Sequence, residues 1–160
     1  MQYKLVKLLI EKGLHITTAE SCTGGLVAAR LVDVPDASKV LSQALVSYSE
    51  EAKSKLLGVN PDYIEKFGVV SEQVAALMAL GAARSAGAET AISTTGIAGP
   101  SGGTESTPVG TVCFGFFVSE KVTTFTMHFE GDRNEVREQA VRFALGKMYE
   151  LLGGGHEREY

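Results

Sequence analysis

The first stretch with chemical potential is residues 17–25, where hydroxyl groups and two glycines follow a short apolar run. Ser21 has two interpretations here. It would cap a following helix as its N-cap residue, or it would act as a nucleophile beside backbone N–H groups that stabilise a phosphate or an oxyanion. Gly24 and Gly25 would let a substrate approach the backbone closely. The local pattern leaves both interpretations open.

Lys53 is the second candidate, at the end of the stretch Tyr-Ser-Glu-Glu-Ala-Lys that begins at Tyr48. In most helices such a lysine is solvated. The functional alternative makes it a general base for a serine, with Tyr48 sharing the hydrogen-bond chain. An unperturbed lysine has a pKa near 10.4. Acting near neutrality requires lowering that pKa by roughly three units, about 4 kcal/mol, through desolvation or nearby positive charge.

Two glycine-containing motifs complete the candidates. Residues 131–133 read Gly-Asp-Arg, with Arg137 one turn later, which predicts a capped helix start with solvated arginines or an arginine fork on a phosphate. Residues 99–103 fit Gly-x-Ser-x-Gly, but a nucleophile elbow needs a helix directly after Ser101. Here two glycines and a proline-containing loop precede a strand. A connecting or ligand-binding loop is therefore the favoured interpretation.

Several classes of site are absent from the sequence. It contains no P-loop, no dinucleotide-binding fingerprint, no His-Glu-x-x-His and no Ser-x-x-Lys. Its three histidines are scattered, and Cys22 and Cys113 are far apart, so we expect reduced thiols in a cytoplasmic protein with no metal. The 15 basic and 19 acidic residues give a net charge of −4, which argues against a dedicated nucleic-acid binder. No apolar run is long enough to span a membrane, and the N-terminus lacks signal-peptide features.

The pattern of apolar residues predicts one α/β domain with a mixed sheet and helices on both faces. We expect the domain over residues 1–152 and a loose tail over 153–160. Ligands of such sheets bind beyond the carboxyl ends of strands, which favours the loops after Thr18, Tyr48 and Thr95. Four predicted helices span residues 2–12, 49–57, 71–86 and 133–152. A fifth follows the turn or helix start at 21–25 and runs to about residue 31, and a sixth begins at residues 60–62. The predicted strands span residues 14–18, 41–48, 90–95, 110–118 and 122–129, the last two forming a hairpin across 119–121.

Taken together, six motifs resemble those of the CinA C-terminal domain family, the competence/damage-inducible type that includes nicotinamide-nucleotide amidases. They occur in the family's order and cover nearly the whole chain. The matching stretches are Thr-Ala-Glu-Ser-Cys-Thr-Gly-Gly (18–25), Val-Ser-Tyr-Ser-x-x-Ala-Lys (46–53), Gly-Val-Val-Ser (68–71), Thr-Gly-Ile-Ala-Gly-Pro-Ser-Gly-Gly (95–103), Pro-Val-Gly-Thr-Val (108–112) and Gly-Asp-Arg (131–133).

The resemblance implies a three-layer α/β/α sandwich, commonly oligomeric and without a required cofactor. It implies hydrolysis of nicotinamide mononucleotide to nicotinate mononucleotide and ammonia, with Ser21 as nucleophile and Lys53 as its base, assisted by Tyr48. The residues it implies for substrate binding are Thr23, Gly24, Gly25, Thr95, Gly96, Ala98, Gly99, Gly102, Gly103, Arg133 and Arg137. Family members also occur as the second half of longer proteins; we expect this chain to be the free-standing form.

Other functions stay open on the sequence. The same fold would also suit a pyridine-nucleotide-binding or partner module that catalyses no reaction, or a hydrolase of another small amide. The family name suggests a DNA-linked role in competence, which the acidic charge balance does not favour. The residues alone do not separate a site that catalyses a reaction from one that only binds a ligand.

Overall fold

The structure is a computed structural model that describes residues 1–155. The predicted loose tail therefore lies outside the described residues from position 156 onward. Six α-helices and five strands make up the described part, together with a 3-10 turn at Ala37–Lys39. The helices are α1 (Gln2–Lys12), α2 (Leu26–Val32), α3 (Glu50–Leu57), α4 (Pro61–Phe67), α5 (Glu72–Ala86) and α6 (Arg133–Leu151). The strands are β1 (Ile16–Glu20), β2 (Leu45–Val46), β3 (Thr90–Gly96), β4 (Thr111–Val118) and β5 (Lys121–His128).

The strands form one mixed sheet in the order β2-β1-β3-β4-β5. β1 pairs in parallel with β2 and β3, whereas β4 pairs antiparallel with β3 and β5. The predicted mixed sheet is thus confirmed. Because β1 and β3 run side by side in the same direction, their carboxyl ends meet at one edge, where ligands of such sheets bind. No helix within residues 1–155 is long and apolar enough to cross a membrane.

Two hydrophobic cores, one on each face of the sheet, establish the three layers. On one face α1, α2 and α6 pack around Leu5, Val27 and a cluster of phenylalanines that includes Phe114 and Phe143. On the other face α3, α4 and α5 pack around Met78 and its neighbours. The predicted single-domain α/β/α sandwich is therefore confirmed. Side chains alternate along β1, so its consecutive residues enter different layers.

Two predicted strands are displaced. The strand predicted at residues 14–18 begins at Ile16, because the N–H of Leu14 donates to Leu9 O and so closes the C-terminus of α1 behind Gly13. The strand predicted at residues 41–48 is only Leu45–Val46. It is an edge strand, and Gln43 O accepts from the hydroxyl of Thr17 rather than from a strand ladder.

The helix caps and the hairpin were largely predictable. Asn60 caps α4, and Asp132 forms the capping box of α6, as predicted. The hairpin is confirmed, but its turn is two residues long and Lys121 already belongs to β5. Both turn residues, Ser119 and Glu120, have positive φ, which is the backbone that a two-residue hairpin turn of the right twist requires.

Candidate active site

A cavity of about 360 Å³ lies at the carboxyl ends of β1 and β3. The turn after β1, the start of α3, the segment before α5 and the loop after β3 form its walls. The predicted loops after β1, at Tyr48 and after Thr95 therefore do meet at one place. The cavity is lined by Ser21, Cys22, Tyr48, Ser49, Glu50, Lys53, Val69, Val70, Thr95, Gly96, Ile97, Ala98, Gly99, Ser101 and Arg133.

Ser21 is the first residue after β1, and it is not a helix cap. Its N–H donates to Thr94 O at 3.0 Å, so it continues the ladder to β3. α2 begins only at Leu26, with Gly25 as its N-cap residue in a left-handed conformation. The capping interpretation of Ser21 is therefore wrong. The hydroxyl is left to lie in the cavity wall.

Residues 21–24 form a single tight turn between β1 and α2. The N–H of Gly24 donates to Ser21 O at 2.9 Å and closes the turn. Within residues 1–155, the N–H groups of Cys22 and Thr23 make no hydrogen bond to another residue. Of these two donors beside Ser21, that of Cys22 belongs to a residue of the cavity lining, whereas Thr23 is fully buried next to it.

Glu20, the last residue of β1, was missed as a site residue by the sequence reasoning. Its carboxylate is fully buried and accepts hydrogen bonds from Val27 N at 2.8 Å, Ala28 N at 3.0 Å and Thr23 Oγ1 at 2.7 Å. The anion that the start of α2 stabilises is therefore this side chain and not a ligand. The signal in the sequence was an acidic residue within an otherwise apolar or hydroxyl-bearing strand.

Lys53, on α3, is buried rather than solvated, with 1% of its surface exposed. Its Nζ lies 3.0 Å from Ser21 Oγ and donates to Ser47 O at 2.7 Å. Burial lowers the pKa of Lys53, and the electrostatic effects of the neighbouring Cys22 and Glu50 oppose that shift. The solvated interpretation of Lys53 is wrong. A lysine with a lowered pKa, in contact with a serine hydroxyl, has the geometry of a base and its nucleophile.

Tyr48 lies on the rim of the cavity and contacts Arg133. Its hydroxyl accepts a hydrogen bond from Arg133 Nη2 at 3.1 Å, and 63% of its surface is exposed. Arg133 Nη1 donates to Gly99 O at 2.7 Å, which links α6 to the loop after β3. The structure thus joins Tyr48 to Arg133, and no hydrogen bond within residues 1–155 joins it to Lys53. The Arg133 guanidinium and the Ser21–Lys53 pair therefore line the same cavity.

The loop after β3 forms a wall of backbone. Thr95 donates to Val69 O at 2.8 Å and so fixes the apolar segment before α5 against the strand. Gly96 is required by close approach, since a Cβ there would lie 2.8 Å from Thr111 O. Within the described residues, the N–H groups of Ala98 and Gly99 make no hydrogen bond. Ser101 is exposed, and β4 follows it rather than a helix, which excludes a nucleophile elbow.

Six of the residues predicted to bind substrate lie outside the cavity lining. They are Thr23, Gly24, Gly25, Gly102, Gly103 and Arg137. Arg137 donates through Nε to Cys22 O at 3.0 Å and through Nη2 to Thr23 O at 3.2 Å. Its guanidinium therefore contacts the turn that carries Ser21 from behind, while Arg133 faces the cavity.

Cys22 and the valines at positions 69 and 70 line the cavity without having been predicted to do so. Burial raises the pKa of Cys22 to about 12, so its thiol is neutral at physiological pH and is not an alternative nucleophile. Val69 and Val70 belong to one of the matching motifs, and their apolar character was the signal that would have found them. Within residues 1–155, no three His, Cys, Asp or Glu side chains are grouped so as to hold a metal ion.

Comparison with known proteins agrees with this arrangement. Residues 1–152 match the model of the CinA C-terminal domain family. A CinA-like protein of Kosmotoga olearia is 50% identical over 141 residues, which are 88% of this chain and 34% of that protein. A CinA-like protein of Mycobacterium tuberculosis is 51% identical over 143 residues, covering 89% and 33% respectively. The chain spans about a third of the length of these relatives.

Solved structures give the same result. The crystal structure of a competence-damaged protein (CinA) superfamily protein from Escherichia coli superposes with a TM-score of 0.91 at 42% identity, over 94% of this chain and 87% of that one. The competence or damage-inducible protein from Enterobacter asburiae superposes with a TM-score of 0.92 at 40% identity, over 94% and 95%. The family model covers nearly all described residues, and the chain belongs to the CinA C-terminal domain family.

Proposed function

We propose that this domain is a serine amidohydrolase that converts nicotinamide mononucleotide to nicotinate mononucleotide and ammonia. The observation that carries the proposal is the 3.0 Å contact between Ser21 Oγ and Lys53 Nζ inside the cavity. The choice of an amide of a pyridine nucleotide comes from the family resemblance, and the cavity supports it because an arginine and apolar side chains line it.

In the proposed reaction, neutral Lys53 accepts the hydroxyl proton of Ser21 while Oγ attacks the carboxamide carbon. The oxyanion that forms is held by the N–H groups of Cys22 and Thr23, which donate to no other residue among those described. The Lys53 ammonium then returns its proton to the leaving nitrogen, and the C–N bond breaks to release ammonia. A water molecule attacks the resulting ester and Lys53 takes its proton. The bond between the acyl carbon and Ser21 Oγ then breaks, Lys53 returns the proton to Oγ, and the carboxylate product leaves.

The positioned base and the oxyanion donors would each contribute to the rate of amide hydrolysis. A positioned base contributes typically 10²–10⁴-fold, and loss of one oxyanion donor costs roughly 10²–10³-fold. Burial serves the base directly, because lowering the pKa of Lys53 increases the neutral fraction at a given pH. Ser47 O, which accepts from Nζ at 2.7 Å, fixes the direction of the amine.

For the substrate, we propose that the phosphate lies against Arg133 and the N–H groups of Ala98 and Gly99. Charge-assisted and backbone N–H donors of this kind suit a phosphate. The pyridine ring would pack on Val69 and Val70, which line the same cavity. Arg133→Gln is then expected to raise KM for the mononucleotide by roughly 10-fold or more, about 1.4 kcal/mol, and to leave KM for nicotinamide riboside unchanged.

The test is purified protein with nicotinamide mononucleotide, with ammonia and nicotinate mononucleotide both quantified. Stoichiometric release of both products that disappears in Ser21→Ala supports the proposal, and Ser38→Ala, an exposed serine, is the matched control. Full activity in Ser21→Ala would reject the nucleophile. A thermal shift with the nucleotide but no product would instead favour a binding module, and neither product nor shift would reject the ligand.

A further inference from the structure

We infer that Arg137 is a positioning residue that holds the turn after β1 in the conformation that aims its free N–H groups at the reacting carbonyl. The inference rests on the proposed function. Arg137 belongs to α6 and reaches across to the turn, donating to Cys22 O at 3.0 Å and to Thr23 O at 3.2 Å. These are the carbonyls of the two residues whose N–H groups are proposed to hold the oxyanion.

Peptide geometry connects the two sets of groups. Each peptide is planar and trans, so its N–H points opposite to its C=O. Cys22 O belongs to the peptide that contains Thr23 N, and turning that carbonyl toward Arg137 turns the N–H away from α6. The same relation holds for Thr23 O and the N–H of Gly24, which does point back and donates to Ser21 O at 2.9 Å. The two guanidinium contacts thus set the orientation of the turn.

Arg137 supplies a donor that α2 does not. Thr23 O also accepts from Leu26 N at 3.0 Å, but α2 starts only at Leu26, and the next N–H groups of that helix donate to Glu20 and not to Cys22 O. A cation at the carbonyl end of the turn also favours negative charge at its N–H end, as helix dipoles do. Arg137 therefore orients the Thr23 N–H through the peptide that it shares with Cys22 O, and it supports both oxyanion donors electrostatically without touching substrate.

The guanidinium of Arg137 also lies close to the backbone of Gly24. A Cβ built on Gly24 would lie 3.2 Å from Arg137 Nη2, so the guanidinium packs against the backbone of the turn. Lysine would not reproduce the arrangement, because one ammonium lacks the planar fork that donates to two acceptors at once. Arg133, in contrast, lines the cavity, so Arg133 and Arg137 have different tasks.

The experiment measures the rate at which a fluorophosphonate labels Ser21 in wild type, Arg137→Lys, Arg137→Ala and Arg142→Gln. In labelling, Ser21 Oγ forms a bond to phosphorus, the P–F bond breaks, fluoride leaves and Lys53 takes the hydroxyl proton. The developing phosphoryl oxygen needs the same N–H groups as an amide oxyanion. Arg142 is an exposed arginine of the same helix and is the matched control.

We expect Arg137→Ala to lower the labelling rate by about 10²-fold and Arg137→Lys by about 10-fold, with Arg142→Gln unchanged. Guanidinium ion added to folded Arg137→Ala restores part of the rate. In amide hydrolysis the variants lower kcat and leave KM within about two-fold, because the lost interaction acts only in the transition state. A phosphate ligand would instead raise KM, and only for phosphorylated substrates.

Labelling at the wild-type rate in a folded Arg137→Ala would overturn the inference. If that variant does not fold, Arg137→Lys decides by the same measurement. Labelling of wild type without hydrolysis of the mononucleotide would reject the proposed substrate. The labelling rates of the Arg137 variants would still decide the role of Arg137. No labelling of wild-type Ser21 at all would reject the activated serine, and the inference with it.

Discussion

Replacing Lys53 with methionine removes the one hydrogen-bond partner that the described residues offer to Ser21 Oγ. Methionine keeps the length and the apolar stem of lysine but cannot accept a proton. A positioned base contributes about 10²–10⁴-fold, which is about 3–5 kcal/mol of transition-state stabilisation. We expect kcat/KM for ammonia release to fall by that factor. Lys55→Met, an exposed lysine of the same helix, should leave kcat/KM unchanged.

The loss of activity should not be a loss of fold. Lys53→Met leaves Ser47 O without the donor that now lies at 2.7 Å, and an unsatisfied buried acceptor costs about 1–3 kcal/mol. The same substitution removes the unfavourable burial of an amine, which opposes that loss. The free energy of unfolding should therefore change by no more than about 2 kcal/mol, as measured by urea unfolding.

The pH dependence of kcat/KM and of unfolding independently tests the direction of the Lys53 pKa shift. Burial lowers the pKa of Lys53 in the folded state. The neutral amine is the form that accepts the proton in the proposed reaction. Hence kcat/KM should rise with pH and level off above the lowered pKa, at a pH below the ordinary pKa of lysine. The folded state binds fewer protons than the unfolded state between those two values, so the free energy of unfolding should rise with pH there, by at most about 1.4 kcal/mol per unit. Lys53→Met should lose that slope.

Three outcomes would refute this reasoning. The first is a Lys53→Met variant that keeps more than about a tenth of the wild-type kcat/KM, a loss too small for a general base. The second is a kcat/KM that stays flat or falls as the pH rises. The third is a pH slope of unfolding that is the same in Lys53→Met as in wild type, which would assign the titration to another group.

Other substitutions test the surroundings of the pair. Gly96→Ala places a Cβ 2.8 Å from Thr111 O and should lower the free energy of unfolding by about 1–3 kcal/mol, whereas Gly155→Ala, with open space around it, should have no effect; equal melting temperatures would contradict this. Cys22, with a pKa of about 12, should react with iodoacetamide at pH 8 far more slowly in the folded protein than after unfolding, and equal rates would contradict its burial. Glu20→Gln replaces one of the two carboxylate oxygens that accept from backbone N–H groups with an NH₂ group, which is a donor. The free energy of unfolding should fall by about 1–3 kcal/mol, measured by thermal unfolding. An unchanged melting temperature would show that the carboxylate is not needed.

The elements were predictable where local physics decides them. Gly13 ends α1 in a left-handed conformation, and Asp132 with Glu135 forms the capping box of α6; both are readable from a few consecutive residues. β2 was predicted too long because β-branched and aromatic residues favour a strand over the whole run. They do not reveal that only two residues of β2 pair with β1. The start of α2 was misplaced because Gly24 and Gly25 read as part of a helix start although both have positive φ.

The contacts of the candidate site were not predictable from the sequence. Ser21 and Lys53 are 32 positions apart on different elements, so their contact depends on how α3 packs on the sheet. The family resemblance named both, but it also paired Tyr48 with Lys53, whereas the Tyr48 hydroxyl contacts Arg133. It named both Arg133 and Arg137 for substrate binding, and the packing separates Arg133 in the cavity lining from Arg137 behind the turn.

Alternation along β1 explains why the site takes parts from both faces of the sheet. Glu20 and Ser21 are consecutive, so their side chains leave opposite faces of the strand. Glu20 enters the layer of α2, where it holds the start of that helix, while Ser21 faces Lys53 on α3. The nucleophile is therefore activated from one layer and its turn is anchored from the other. A register shift of one residue in β1 would bring the carboxylate to Lys53 and remove the hydroxyl from the cavity, so the register of β1 against β3 is itself a requirement of the proposed chemistry.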